Sequence, residues 1–111
     1  MTNNYNIYYD PEKFELTIFG HLSESLSYEF NYFVIFKHTD GRLFYAHDSG
    51  CSCPAPFEDF KGISELTPIT LDTFDRFETE LRNWRPVNMP VNEVIGMISK
   101  VNLFLRTGVR K

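Results

Sequence analysis

The chain has 111 residues, enough to close one hydrophobic core without disulfide or metal staples, so a single α+β domain over residues 1–111 is expected. A net charge of −4 and a pI near 5.3 count against non-specific nucleic-acid binding, which needs clustered cations to displace phosphate counterions. No apolar run reaches the length of a membrane span, and Met1-Thr2-Asn3-Asn4 lacks the basic-then-apolar order of a secretion leader, so a soluble cytoplasmic protein is expected.

Residues 1–13 are polar and aromatic, with a turn at Asp10-Pro11. Phe14 to Phe19 alternates and reads as a strand with Phe14, Leu16 and Ile18 on its buried side. Gly20 ends that strand, and His21 to Ser27 reads as a loop. Tyr28 to His38 is the strongest strand signal. Tyr28, Phe30, Tyr32, Val34 and Phe36 share one face, and Phe33 and Ile35 make the centre of the other face apolar, which places the strand inside a sheet.

Asp40-Gly41 then marks a hairpin, expected as a two-residue type I′ turn into the strand Leu43 to His47. That register sets Phe36 opposite Tyr45, Val34 opposite His47 and His38 opposite Leu43. His38 and His47 would then share a face at roughly 13 Å, too far apart for one metal ion.

Gly62 to Pro68 reads as a connector. Thr70 is the expected N-cap of a helix over Leu71 to Trp84, whose Leu71, Phe74, Phe77, Leu81 and Trp84 form a core stripe. Pro86 closes it and Pro90 opens a second helix. The second stripe is Val91, Val94, Ile95, Ile98, Val101, Phe104 and Leu105, with Gly108 as C′ residue. Lys100, Arg106, Arg110 and Lys111 face no acid in this region and suit a helix C-terminus. Strands first and helices second predict an antiparallel sheet of about three strands followed by two helices packed on one face.

Between the two halves lies Asp48 to Phe60, which holds both cysteines, two prolines and three carboxylates. Four readings of it are open. Cys51, Cys53 and His47, with Asp48 near, are weak candidates for a metal, because Cys-x-Cys is tighter than the usual structural-zinc spacing and no second pair exists. Thiol catalysis is disfavoured, since Asp48, Glu58 and Asp59 would raise a cysteine pKa rather than lower it. Pro54 and Pro56 can stiffen a purely structural loop pinned by Phe57 and Phe60. A binding loop is the fourth reading, with backbone N–H groups of Ser49-Gly50-Cys51-Ser52 forming an anion nest and Tyr45 stacking on a ring. The candidate binding set is Tyr45, His47, Asp48, Ser49, Gly50, Cys51, Ser52, Cys53, Phe57 and Glu58. No catalytic residue and no cofactor is assigned.

Three strings, Tyr8-Tyr9-Asp10-Pro11-Glu12-Lys13-Phe14, Asp40-Gly41-Arg42-Leu43-Phe44-Tyr45-Ala46 and Asp48-Ser49-Gly50-Cys51-Ser52-Cys53-Pro54-Ala55-Pro56-Phe57-Glu58-Asp59-Phe60, resemble a family of small proteins from tailed-phage genomes, a domain of unknown function. The resemblance covers about the first two-thirds of the chain and fades beyond Leu66. It implies a phage origin and the host bacterial cytoplasm as the place of work, and it brings no activity or site. The leading expectation is a non-enzymatic protein that binds and inhibits a host factor, such as a defence component. The surface marks of that expectation are an exposed apolar patch and the aromatic surplus, 16% of the chain. The alternative is a sequestering protein for a nucleotide signal, a symmetric oligomer with pockets lined by Tyr45, Ser49, Ser52 and an Arg.

Overall fold

The computed structural model describes residues 5–25, 29–51, 56–86 and 88–107, with the side chains of Ser25, Glu29 and Cys51 excepted. Its centre is an antiparallel sheet of four strands in sequential order, β1 (Leu16–Ser25), β2 (Glu29–His38), β3 (Leu43–Cys51) and β4 (Thr67–Ile69). Helices α1 (Phe74–Trp84) and α2 (Val91–Thr107) follow. The fold is α+β as expected, but with a fourth strand. The connector reading missed β4 because Pro68 lies in its middle. An edge strand tolerates Pro, since the missing N–H would have pointed away from the sheet.

β1 does not stop at Gly20. Its register with β2 shifts between Ile18 and Gly20, so Phe19 is an extra residue in a bulge. One inserted residue flips the alternation: Leu16 is buried on one face of the sheet and Leu22 on the other. The Phe19 carbonyl accepts a 2.7 Å hydrogen bond from Lys100 Nζ of α2, whose ammonium also lies 4.7 Å from the Phe19 ring centre. Gly20 gives α2 room to approach, because a Cβ there would sit 2.5 Å from Met97 Sδ.

The β2–β3 hairpin is one residue longer in its loop than expected. The His38 N–H donates to the Arg42 carbonyl at 2.8 Å and the Gly41 N–H to the His38 carbonyl at 2.9 Å. Thr39-Asp40-Gly41 is therefore a three-residue loop, and Gly41 takes its left-handed position at φ 97°. Asp40 favours this longer turn, since its carboxylate accepts from both the Arg42 N–H and Nε–H. The one-residue change moves every cross-strand pair. Phe36 faces Phe44, Ile35 faces Tyr45 and Phe33 faces His47. The expected sharing of a face by His38 and His47 is therefore wrong: they lie on opposite faces.

Both faces of the sheet are covered. The helices bury one, with Phe33, Ile35, Leu43 and Tyr45 packed against Phe77, Leu81, Val94 and Val101. The other is covered by the segment around Ile7 to Phe14 and by residues 56–66, with Val34, Phe36, Phe44 and Leu16 against Ile7, Phe57 and Leu66. β2 lies inside the sheet, as its two-sided apolar pattern predicts. α1 begins at Phe74, not Leu71, because Thr70 and Thr73 exchange backbone-to-hydroxyl hydrogen bonds at 2.9 and 3.2 Å and hold 71–73 in a turn. Leu71 is consequently exposed. In α2 the buried stripe is Val94, Met97, Ile98 and Val101, so Met97 replaces the predicted Ile95, while Val91 and Ile95 face outward. Gly108 lies outside the described residues. Among those described, no helix is long and apolar enough to cross a membrane.

Candidate functional site

Asp48 to Cys51, expected in a loop, continue the strand that carries Tyr45 and His47. β3 runs on to Cys51, pairing Asp48 with Tyr32, Ser49 with Asn31, Gly50 with Phe30 and Cys51 with Glu29. Strand alternation then separates the candidate residues: Tyr45, His47 and Ser49 fall on the helix side, Asp48 and Gly50 on the opposite side. Consecutive N–H groups of a paired strand point in opposite directions, so Ser49, Gly50 and Cys51 do not converge as an anion nest. Ser52 and Cys53, with Pro54 and Ala55, lie outside the described residues. Among the residues described, no group of three or more His, Cys, Asp and Glu side chains could hold a metal ion.

Tyr45 is 2% exposed. Its ring stacks on Phe33 at 5.5 Å and 7°, and Phe77 of α1 packs on it at 5.5 Å. Its faces are taken by the core, which leaves none for a ligand and corrects the stacking role expected of it. Burial, and next the Glu80 carboxylate, push its phenol up to about 12. The hydroxyl itself is buried without a hydrogen bond of good geometry. His47 is exposed and stacks its ring on Phe33 at 5.8 Å.

On the opposite side, Asp48 and Phe57 meet. Asp48 Oδ2 accepts the Phe57 N–H at 2.8 Å, and the Pro56 carbonyl accepts from Asn6 Nδ2 at 2.9 Å. Phe57 is wholly buried and has φ 61°, a left-handed conformation that costs an L-residue about 1–2 kcal/mol. Its ring packs against Phe60 at 5.2 Å and Tyr8 at 5.6 Å. The aspartate thus holds the returning chain in a strained geometry that the aromatic burial offsets. Glu58 follows on the surface.

Beside this anchor lies a tyrosine–histidine cluster that the sequence reading did not assemble. The Tyr8 hydroxyl is 2.8 Å from His21 Nε2, and both rings lean on Tyr32, at 5.3 and 5.1 Å. Phe30 extends the row and Tyr9 meets Tyr8 edge-on. Asn6 sets up the approach by accepting the N–H groups of Tyr8 and Tyr9 on its Oδ1. Burial, then the neighbouring Tyr32 and Tyr9, raises the Tyr8 pKa, and burial lowers that of His21. Both shifts favour the neutral forms, so the hydrogen bond joins a neutral phenol and a neutral imidazole, its direction following the tautomer of His21. Tyr9 and Tyr5 stand outside this layer at 60% and 46% exposure, with Lys13 Nζ 4.9 Å from the Tyr5 ring centre.

In the sequence Gly20 reads as a strand end and His21 as part of a loop that could complete a metal site only by folding back toward Cys51 and Cys53, so its meeting with Tyr8 and Tyr32 is not foreseen. The available signal was an isolated glycine inside an alternating stretch; Leu16, Ile18 and Leu22 keep a spacing of two, so the change of face made by the bulge does not show in the sequence.

No curated protein and no solved structure matches the chain. A family profile does, over residues 5–104, and so includes α1 and nearly all of α2; the likeness does not fade after Leu66, and the last helix is part of the shared domain. The chain belongs to this family, described as a domain of unknown function, DUF7574.

Proposed function

We propose that the protein acts by binding, as a phage-encoded inhibitor that occupies a host protein in the bacterial cytoplasm, with a defence component as the expected class of target. The observation that carries this reading is the tyrosine surface made by Tyr8, Tyr9, Tyr32 and His21, with Tyr5 beside it. Tyrosine combines a large apolar ring, a polar tip and few rotatable bonds, which is why it concentrates at protein-binding surfaces. Here the inner rings are held by the Tyr8–His21 hydrogen bond and by mutual packing, so little ordering cost remains to be met on contact. Asp10 next to Tyr9, and Glu58 and Asp59 following Phe57, whose ring packs on Tyr8, favour a partner that is not itself strongly acidic.

The test is capture of host proteins by the immobilised chain, compared with a Tyr5→Ser/Tyr9→Ser variant. These two rings are exposed, so the fold is retained and one specific partner should lose at least tenfold in affinity. Equal capture by the variant removes the tyrosine surface from the reading. A thermal shift with nucleotides and no protein partner would favour the sequestering alternative.

A further inference from the structure

We infer that Asn6 is the positioning residue of the tyrosine surface: its one side chain fixes where Tyr8 and Tyr9 stand by tying their backbone to the chain that returns after β3. What these rings are used for rests on the binding reading; how they are held does not.

Residues 5–10 make no helix or strand, so side chains have to place the rings they carry. Ile7 supplies an apolar peg, wholly buried in one cluster with Leu16, Val34 and Phe57. A peg sets a position and leaves rotation about it free. Asn6 removes that freedom. Its Oδ1 accepts the Tyr8 N–H at 2.7 Å and the Tyr9 N–H at 3.1 Å, so both lone pairs of the amide oxygen are in use. Asp10 closes the turn from the other end: its N–H donates to the Asn6 carbonyl at 2.7 Å, and its Oδ2 accepts the Asn6 N–H at 3.2 Å.

The remaining contact of the Asn6 side chain leads out of the turn. Its Nδ2 donates to the Pro56 carbonyl at 2.9 Å, and the N–H of that same peptide unit, on Phe57, is the one that Asp48 accepts at 2.8 Å. The carbonyl and N–H of a trans peptide point in opposite directions, so this unit is gripped from both sides, by β3 and by the tyrosine turn. A line of hydrogen bonds then runs from Asp48 on β3 through the Pro56–Phe57 peptide and Asn6 to the Tyr8 backbone, and from the Tyr8 hydroxyl to His21 on β1. A carboxamide suits both of its tasks there. Aspartate would accept from Tyr8 and Tyr9 but would set a carboxylate against the Pro56 carbonyl, and alanine offers neither group. With the backbone held in this way, Tyr9 presents a ring that is 60% exposed yet already placed edge-on to Tyr8 at 5.2 Å. Contact with a partner then has little left to order.

NMR of the isotope-labelled chain tests this without a partner, so it succeeds or fails apart from the capture experiment. In Asn6→Ala the hydrogen-exchange rate of the Tyr8 amide should rise at least tenfold more than those of Phe33 and Ile35 inside the sheet, whose chemical shifts should stay as in wild type. The imidazole of His21, released from Tyr8, should titrate closer to an ordinary histidine. Asn6→Asp separates the two contacts: Tyr8 should keep its wild-type rate, while the Phe57 amide, gripped from one side alone, should exchange at least tenfold faster. An Asn6→Ala chain whose Tyr8 exchange and His21 titration match wild type overturns the proposal. So does a rise in exchange shared equally by Phe33 and Ile35, which would make Asn6 a general stabiliser of the fold, or an Asn6→Asp chain in which the Phe57 amide is unchanged.

Discussion

Replacing Asp48 by Ala tests how the segment after β3 is held. The Phe57 N–H that Asp48 accepts belongs to a residue with no solvent exposure, so no water replaces the carboxylate when it is removed. A buried donor left unpaired costs about 1–3 kcal/mol, and a bond to a carboxylate lies toward the upper end. Relaxation of Phe57 from φ 61° returns part of that loss, but only by disturbing its contacts with Tyr8, Phe36 and Phe60. The expected cost of Asp48→Ala is about 2–3 kcal/mol, or about 8–12 °C in Tm for a domain this size. Asp48→Asn keeps an acceptor without the charge and should lose about half as much. Urea denaturation gives the free energies, and hydrogen exchange of the Phe57 amide gives the local readout. Asp59→Ala, a nearby exposed carboxylate, serves as the control and should stay within about 0.5 kcal/mol of wild type. If Asp48→Ala stays within the same margin, the aspartate does not hold the segment.

Tyr45→Phe removes a buried hydroxyl that lacks a good hydrogen bond, and should be neutral or stabilise by up to about 1 kcal/mol in thermal denaturation. Because the phenol is raised from 10.0 to about 12 in the fold, the unfolded chain ionises first above pH 10, and stability falls as pH rises from 10 toward 12; Tyr45→Phe should lessen that alkaline loss. The lowered pKa of His21 works in the opposite sense: its contribution is present above pH 6.5 and is lost as pH falls through the folded value. NMR titration of the imidazole should place it below an ordinary histidine, and His21→Gln should flatten the acid limb of stability. Gly20→Ala should cost about 1 kcal/mol or more through Met97 Sδ, and nothing further in a Met97→Ala background; additive losses in the double-mutant cycle would deny the contact.

Much of the fold was legible because it rests on local pattern. The two-sided apolar run Phe33 to Phe36 implied an interior strand, and Phe77 and Leu81 repeat at helical spacing. What escaped was phase. Phe19 in a bulge and Gly41 in a three-residue loop each shift a strand by one residue, and one residue exchanges the faces of everything beyond it. Pro68 hid β4 because a residue barred from interior strands is acceptable at an edge. The candidate site suffered most from this, since Asp48 to Cys51 were read as a loop beside the strand carrying Tyr45 and His47, and instead continue that strand with side chains on alternating sides.

Composition and periodicity by themselves determined the class of this protein: a small acidic, aromatic-rich α+β chain whose strands precede its helices. They act through contacts between residues near in sequence, which a single string of letters records. The tertiary structure alone decided that Tyr8, His21 and Tyr32 form one surface, that Tyr45 belongs to the core, and that Asp48 holds Phe57. Those meetings depend on strand register and on which layer covers which face. Register comes from turn geometry and packing summed over the whole sheet, which no short stretch of the chain contains.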